Sequence, residues 1–378
     1  MDIATRSPRP SARLLLAALA LAAGCLALAG CGSSSPAGSS STAAGNSSST
    51  GAGASSTLVS IGAGLKGPAG LHASVYAKGP RTTAAFAFDP QGRLWLTAAG
   101  LEAHSEDGVY MIAGAGAKAL KVVSGLDDPL GLAWYRGQLY VASVGRVDEY
   151  GDFNGKRFTQ HREILAGPVA GGENNLLVMA ADGRFVMGIT ASCDHCTPSS
   201  EYSGSIVSFR PDGSDLRLYA SHIRAPFGLS YLPGSNDLFV TMNQQDNLGA
   251  QTPGDSLALV AEGQDWRFPE CHGQGGAACA GVPAPVAVLD KHAAVGGVAL
   301  LTGQLGASIG TAAIVPEWAV AKVQRVALTR TSSGYEGAVT PFLTGIQNPL
   351  AITLAPEHSL LVGDWQTGTI YRISAASH

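Results

Sequence analysis

The sequence predicts an all-β protein, a six-bladed β-propeller, on three observations. Charged residues make up only 14% of the 378-residue chain, against about 25% in an ordinary globular domain. There are 49 glycines, and Gly or Pro interrupts nearly every window of helical periodicity. A unit of turn, short apolar strand, turn and second strand recurs six times, at intervals of roughly 45–65 residues. Strand pairs repeated at that period indicate propeller blades, each a twisted four-stranded sheet with its inner strand along a central channel. Another large all-β fold, such as a pair of sandwiches, is the alternative, and the fixed order of turns and strands favours the propeller.

The copies follow in chain order. The first covers 84–89 and 93–96, the second 128–133 and 137–141, and the third 171–179 and 182–186. The fourth covers 224–229 and 236–240, and the sixth 347–352 and 359–362. A degenerate fifth copy begins at His292-Ala293-Ala294-Val295-Gly296-Gly297.

Residues 1–57 have a different character. Arg6, Arg9 and Arg13 precede an apolar run, 14–29, which is the pattern of a secretory signal. The run ends Leu28-Ala29-Gly30-Cys31, which resembles the bacterial lipobox, so cleavage before Cys31 and lipidation of its thiol are expected. A plain signal peptide or an uncleaved anchor is the alternative. From Gly32 to Thr57 the chain is nearly all Gly, Ser, Ala and Thr without charge, a composition that cannot bury a core and serves as a flexible spacer. The expected organisation is a signal over 1–30, a tether over 31–57 and a propeller over 58–378. The formal net charge is −4, and residues 1–30 hold three Arg and one Asp, so the remainder is more acidic still. Without a basic excess, nucleic acid is not an expected partner.

Several ordered segments carry a resemblance. Asp182-Gly183-Arg184-Phe185-Val186 is followed by Ser192-Cys193-Asp194-His195-Cys196, and Pro211-Asp212-Gly213 precedes Tyr219-Ala220-Ser221-His222-Ile223-Arg224. Then come Asn243-Gln244-Gln245-Asp246-Asn247, Gly263-Gln264-Asp265-Trp266, Lys291-His292-Ala293 and the terminal Val362-Gly363-Asp364. As an ordered set they resemble the glucose/sorbosone dehydrogenase family over most of 75–373. The resemblance implies a six-bladed propeller that oxidises a sugar or related alcohol with pyrroloquinoline quinone and calcium. Such chemistry needs a base for the hydroxyl proton, cations for the three quinone carboxylates and oxygen ligands for calcium.

The sequence departs from that pattern at the decisive positions. The resemblance places a catalytic His at Gly172; its neighbour Glu173 is either a substitute base or a loop carboxylate without a role. Arg224 corresponds to a cofactor-facing Arg or to a brace of the channel. Asn348 stands where the family carries a cofactor-binding Arg before Pro349, and Lys322 is a candidate compensating cation near Trp318. Each missing cation removes roughly 1.5–3 kcal/mol of charge-assisted hydrogen bonding. Gln245, Asp246 and Asp255 are the calcium candidates, with solvated loop carboxylates as the alternative. In an exported chain, Cys193 with Cys196 and Cys271 with Cys279 suggest two local disulfides. Two functions follow: a membrane-tethered quinoprotein-type dehydrogenase with an unknown electron acceptor, or a degenerate propeller that binds a carbohydrate or protein partner without turnover.

Overall fold

The computed structural model describes residues 57–376 except 102, 168, 170, 171 and 199. The signal, Cys31 and all of the tether but Thr57 lie outside the described residues. Among the described residues there is no α-helix, only three single 3-10 turns, and no helix long and apolar enough to cross a membrane.

Six sheets follow one another along the chain, as the repeats predict. Blade 1 consists of Thr83–Phe88, Leu94–Ala98, Gly108–Ile112 and Leu120–Val123. Blade 2 consists of Gly131–Tyr135, Gln138–Ser143, Arg146–Phe153 and Phe158–Ala166. Blade 3 has Asn174–Met179, Phe185–Ile189, Ser205–Phe209 and Arg217–Ser221, with Gln264–Asp265 added in parallel at its edge. Blade 4 has Pro226–Tyr231, Leu238–Met242, Gly254–Val260 and Ala287–Lys291. Blade 5 has Ala299–Thr302, Thr311–Glu317, Lys322–Thr331 and Gly334–Thr344, extended by Val59–Gly62 and Leu65–Gly67. Blade 6 joins the two ends of the fold: Pro349–Leu354, Leu360–Asp364 and Thr369–Ala375 are completed by Leu71–Lys78.

The second strand of a blade lies between neighbouring sheets, so both its faces are covered and it reads as a continuous apolar run. Leu94–Ala98, Phe185–Ile189, Leu238–Met242 and Leu360–Asp364 are accordingly buried at every residue. The outer strand Phe158–Ala166 is mostly exposed. Inner strands meet so closely around the channel that side chains are excluded at some positions. A Cβ at Gly228 would stand 2.7 Å from the Gly296 carbonyl of the next repeat, which only glycine permits.

The degenerate fifth copy opens at His292, and its inner strand follows at Ala299–Thr302. The earlier segment is a loop that turns through left-handed backbone at His292 (φ 54°) and Ala294 (φ 49°).

Ring closure rests on the ladder between Thr369–Ala375 and Leu71–Lys78, whose positions differ sharply in burial. Ile373 is fully buried, whereas Val75 is 52% exposed. Ile373→Ala is therefore expected to cost about 2–5 kcal/mol in chemical denaturation, and Val75→Ala less than about 0.5 kcal/mol. Equal effects would show that this ladder does not bury a core at the closure.

Candidate functional site at the channel mouth

The loops that lead into the inner strands converge at one end of the channel and enclose a cavity. Three of its walls come from the same place in three repeats: Leu130, Phe227 and Leu350 each follow a proline, Pro129, Pro226 and Pro349. Leu101 and Trp318 complete the apolar side. Trp318 meets Trp365 edge to face at 5.5 Å, and the Trp365 Nε1 donates to the Ala99 carbonyl at 3.1 Å. The charged or titratable lining residues are Glu173, Asp246, Asp255 and His292. Leu101, His292 and Ala294 line it with positive φ, a conformation that costs roughly 1–3 kcal/mol per residue and that the surrounding packing must impose.

Arg224 braces this mouth. It is 3% exposed and every part of its guanidinium is engaged. Its Nη2 donates to Asp194 Oδ1 at 2.5 Å and lies 3.7 Å from Asp246 Oδ2. Its Nε donates to the Asp194 carbonyl at 3.1 Å and its Nη1 to the Asn243 carbonyl at 3.0 Å. Asp194 lies in the turn closed by the Cys193–Cys196 disulfide, and the Cys271–Cys279 disulfide closes a second loop. The two expected pairings are thus present, and the first fixes the carboxylate that holds Arg224.

The acids are less well compensated. Glu173 makes no side-chain hydrogen bond among the described residues. Its surface is partly accessible to the cavity, yet burial, followed by the Asp128 charge, pushes its pKa up to about 7 against a smaller opposing pull from Arg224. Asp255 is 2% exposed and accepts the Gln244 N–H at 2.8 Å. Burial nevertheless pushes its pKa up to about 7. Burial also raises Asp246, and Arg224 and His292 offset part of that effect. A neighbouring network, in which His104 Nδ1 meets Asp107 Oδ2 at 2.9 Å and Asp128 Oδ1 accepts the Leu101 N–H at 2.6 Å, presses Leu101 into the mouth. Burial raises Asp128 to about 6.

The remaining candidates lie elsewhere. Lys322 sits at the start of a blade 5 strand, paired with Asp290 and 3.6 Å from Glu317, and is not part of the cavity wall. The expectation that it supplies charge to a cofactor is corrected, because two carboxylates already hold it. Asn348 donates to the Trp318 carbonyl at 3.0 Å and positions that indole instead of facing the cavity. Gln245 is 3% exposed, donates to Asn247 Oδ1 at 2.6 Å, and leaves its own Oε1 unpaired. The position that the resemblance reserves for a catalytic His has no room for one: a Cβ at Gly172 would collide with the Thr190 carbonyl.

These residues do not fit pyrroloquinoline quinone. A ligand with three carboxylates needs unpaired cations, and the lining offers three acids and one His while the buried Arg224 is already committed. Calcium has suitable oxygen chemistry in Asp246, Asp255 and the unpaired Gln245 Oε1. Glu173 does not join Asp246 and Asp255 in a set of three close carboxylates. Among the described residues, the one set of three His, Cys, Asp or Glu side chains with ligand atoms within 4.8 Å is His104, Asp127 and Asp128. Sequence reasoning missed Asp194 as the partner of Arg224, and missed the apolar walls, although the repeated Pro-Leu or Pro-Phe step marks three of them.

A six-bladed propeller with its cavity at the inner-strand loops is the class these observations define. No protein-family model matches the sequence, and no curated protein matches it. Solved structures do. An aldose sugar dehydrogenase from Streptomyces coelicolor, in its PQQ-bound form, is 17% identical with a TM-score of 0.66, covering 82% of this chain and 99% of that one. A putative oxidoreductase (glucose dehydrogenase) from Thermus thermophilus is 17% identical with a TM-score of 0.66, covering 80% and 100%. The holo PQQ domain of a pyranose dehydrogenase from Coprinopsis cinerea is 13% identical with a TM-score of 0.67, covering 82% and 97%. At these identities the likeness establishes the fold.

The raised carboxyls set a pH dependence. Glu173 and Asp255 hold protons in the folded state up to about 7, well above their ordinary values of 4.5 and 3.8. The folded chain therefore binds more protons than the unfolded one between those limits, and stability falls as pH rises through that window. Thermal unfolding should show a lower midpoint above neutral pH than at mildly acid pH. In Glu173→Gln, which cannot ionise, that decline should be shallower; an unchanged slope would show that Glu173 titrates normally.

Proposed function

We propose that the chain is an exported propeller, tethered through a lipidated Cys31, that binds a small molecule at the channel mouth and does not oxidise sugars with a quinone. The observation that carries this reading is the cavity's charge: acids line it, and its one buried cation is spent on Asp194 and Asp246. The two disulfides support an oxidising compartment. The likeness to structures described as sugar dehydrogenases supports the other reading, a tethered quinoprotein with Glu173 as base and Asp246 and Asp255 at calcium.

One experiment separates the two readings. The chain from Leu58 onward is mixed with calcium and pyrroloquinoline quinone, desalted and inspected for quinone absorbance, then assayed for aldose oxidation with an artificial acceptor. The expected outcome is no retained quinone and no turnover. Retained quinone with robust aldose oxidation would overturn the proposal, and loss of that activity in Glu173→Gln would then identify the base. For the tether, fatty-acid labelling is expected in the wild type and absent from Cys31→Ser; equal membrane partitioning of both would refute lipidation.

A further inference from the structure

We infer that the ligand of the channel mouth is an organic ammonium ion with an apolar body, its charge set among Glu173, Asp246 and Asp255 and its body against Leu130, Phe227, Trp318 and Leu350. This deepens the non-oxidising reading above and rests on it. Three features of the cavity select that class. Above neutral pH its charge disfavours anions, since a carboxylate or phosphate placed there would face three ionised acids with Arg224 already engaged. Its spacing does not suit one bare metal ion held by all three acids, since a calcium ion's oxygen ligands lie about 2.3–2.6 Å from the metal and hence close to one another. Glu173, Asp246 and Asp255 do not form a set of three with all ligand atoms within 4.8 Å of one another, so a cation that touches all three is larger than a bare metal ion.

The third feature is the wall. The polar lining is limited to Glu173, Thr190, Asn243, Asp246, Asp255 and His292, and Leu, Ala, Val, Phe and Trp side chains form the rest. These apolar walls suit an apolar body, and the faces of Phe227 and Trp318 attract a cation through their ring quadrupoles. Glu173 adds the specific element: it borders the cavity and is unpartnered among the described residues, so a ligand N–H could pair with it without displacing an existing hydrogen bond. Asp246, by contrast, already faces Arg224 at 3.7 Å and His292 at 3.4 Å. Glu173 is therefore expected to contribute the larger share of recognition.

The test is calorimetric titration of the chain from Leu58 onward, above neutral pH, with 2-phenylethylammonium, neutral 2-phenylethanol, anionic 3-phenylpropionate and D-glucose. The ammonium ion is expected to bind, with the alcohol at least about tenfold weaker and the anion undetectable. Glu173→Gln and Phe227→Ala should each weaken ammonium binding by about tenfold. Asp237→Asn, at an outer site paired with Arg330 and Tyr335, should leave it unchanged. Far-UV circular dichroism verifies that each variant is folded, and if Glu173→Gln is not, Phe227→Ala carries the comparison. Equal binding of ammonium and alcohol, preference for the anion or glucose, or no ammonium binding by folded protein would overturn the inference. Quinone retention with aldose oxidation would instead sink the non-oxidising reading and this inference with it.

Discussion

The antiparallel ladder between Leu71–Lys78 and Thr369–Ala375 is the constraint on which the molecule depends. A propeller sheet buries its faces only against its two neighbours, so an open ring would leave the first and last blades each with an uncovered side. Closing blade 6 with an N-terminal strand removes that defect and sets the angular position of every other blade. The cavity inherits this precision, because its walls are contributed by loops from all six repeats and no single blade builds it.

Within that frame the channel mouth is organised around one buried cation. Arg224 is worth keeping only while Asp194 and Asp246 face it, since a buried charge stripped of its partner costs about 3–5 kcal/mol. The same commitment makes it a poor anchor for an incoming carboxylate. The fold is thus shared with structures described as sugar dehydrogenases, the channel mouth of this chain is lined by acids, and fold alone is a weak guide to chemistry. Gly172 sharpens the contrast, because the Thr190 carbonyl occupies the space a side chain there would need.

Much of this was legible in the residues. The runs Leu94–Ala98, Phe185–Ile189, Leu238–Met242 and Leu360–Asp364 are buried on both faces, so their apolar stretches, broken only by a Thr, a Gly or a final Asp, announced them. The fifth repeat was blurred because His292 and Ala294 adopt left-handed backbone that neither residue type signals. Glu173, Asp246 and Asp255 were singled out by the family resemblance, and all three do line the cavity. Lys322 was not placed correctly, since Glu317 faces it across a hairpin and Asp290 is brought to it from the neighbouring blade. Leu101 was invisible for a similar reason: hydrogen bonds from the backbone of Gly100 and Leu101 to Asp107 and Asp128 put it in the mouth.

The N-terminal segment also has a mechanical meaning. Before it reaches blade 6 it forms the short hairpin Val59–Gly62 and Leu65–Gly67, which joins blade 5 through the pairing of Lys66 with Thr344. Ile61 and Leu65 bury themselves in the core shared by blades 5 and 6. A pull on the chain at residue 57 therefore meets this small clasp first. Because Ile61 and Leu65 share their core with Leu71 and Ala73 of the ring-closing strand, the clasp spreads that load into the packing of blades 5 and 6.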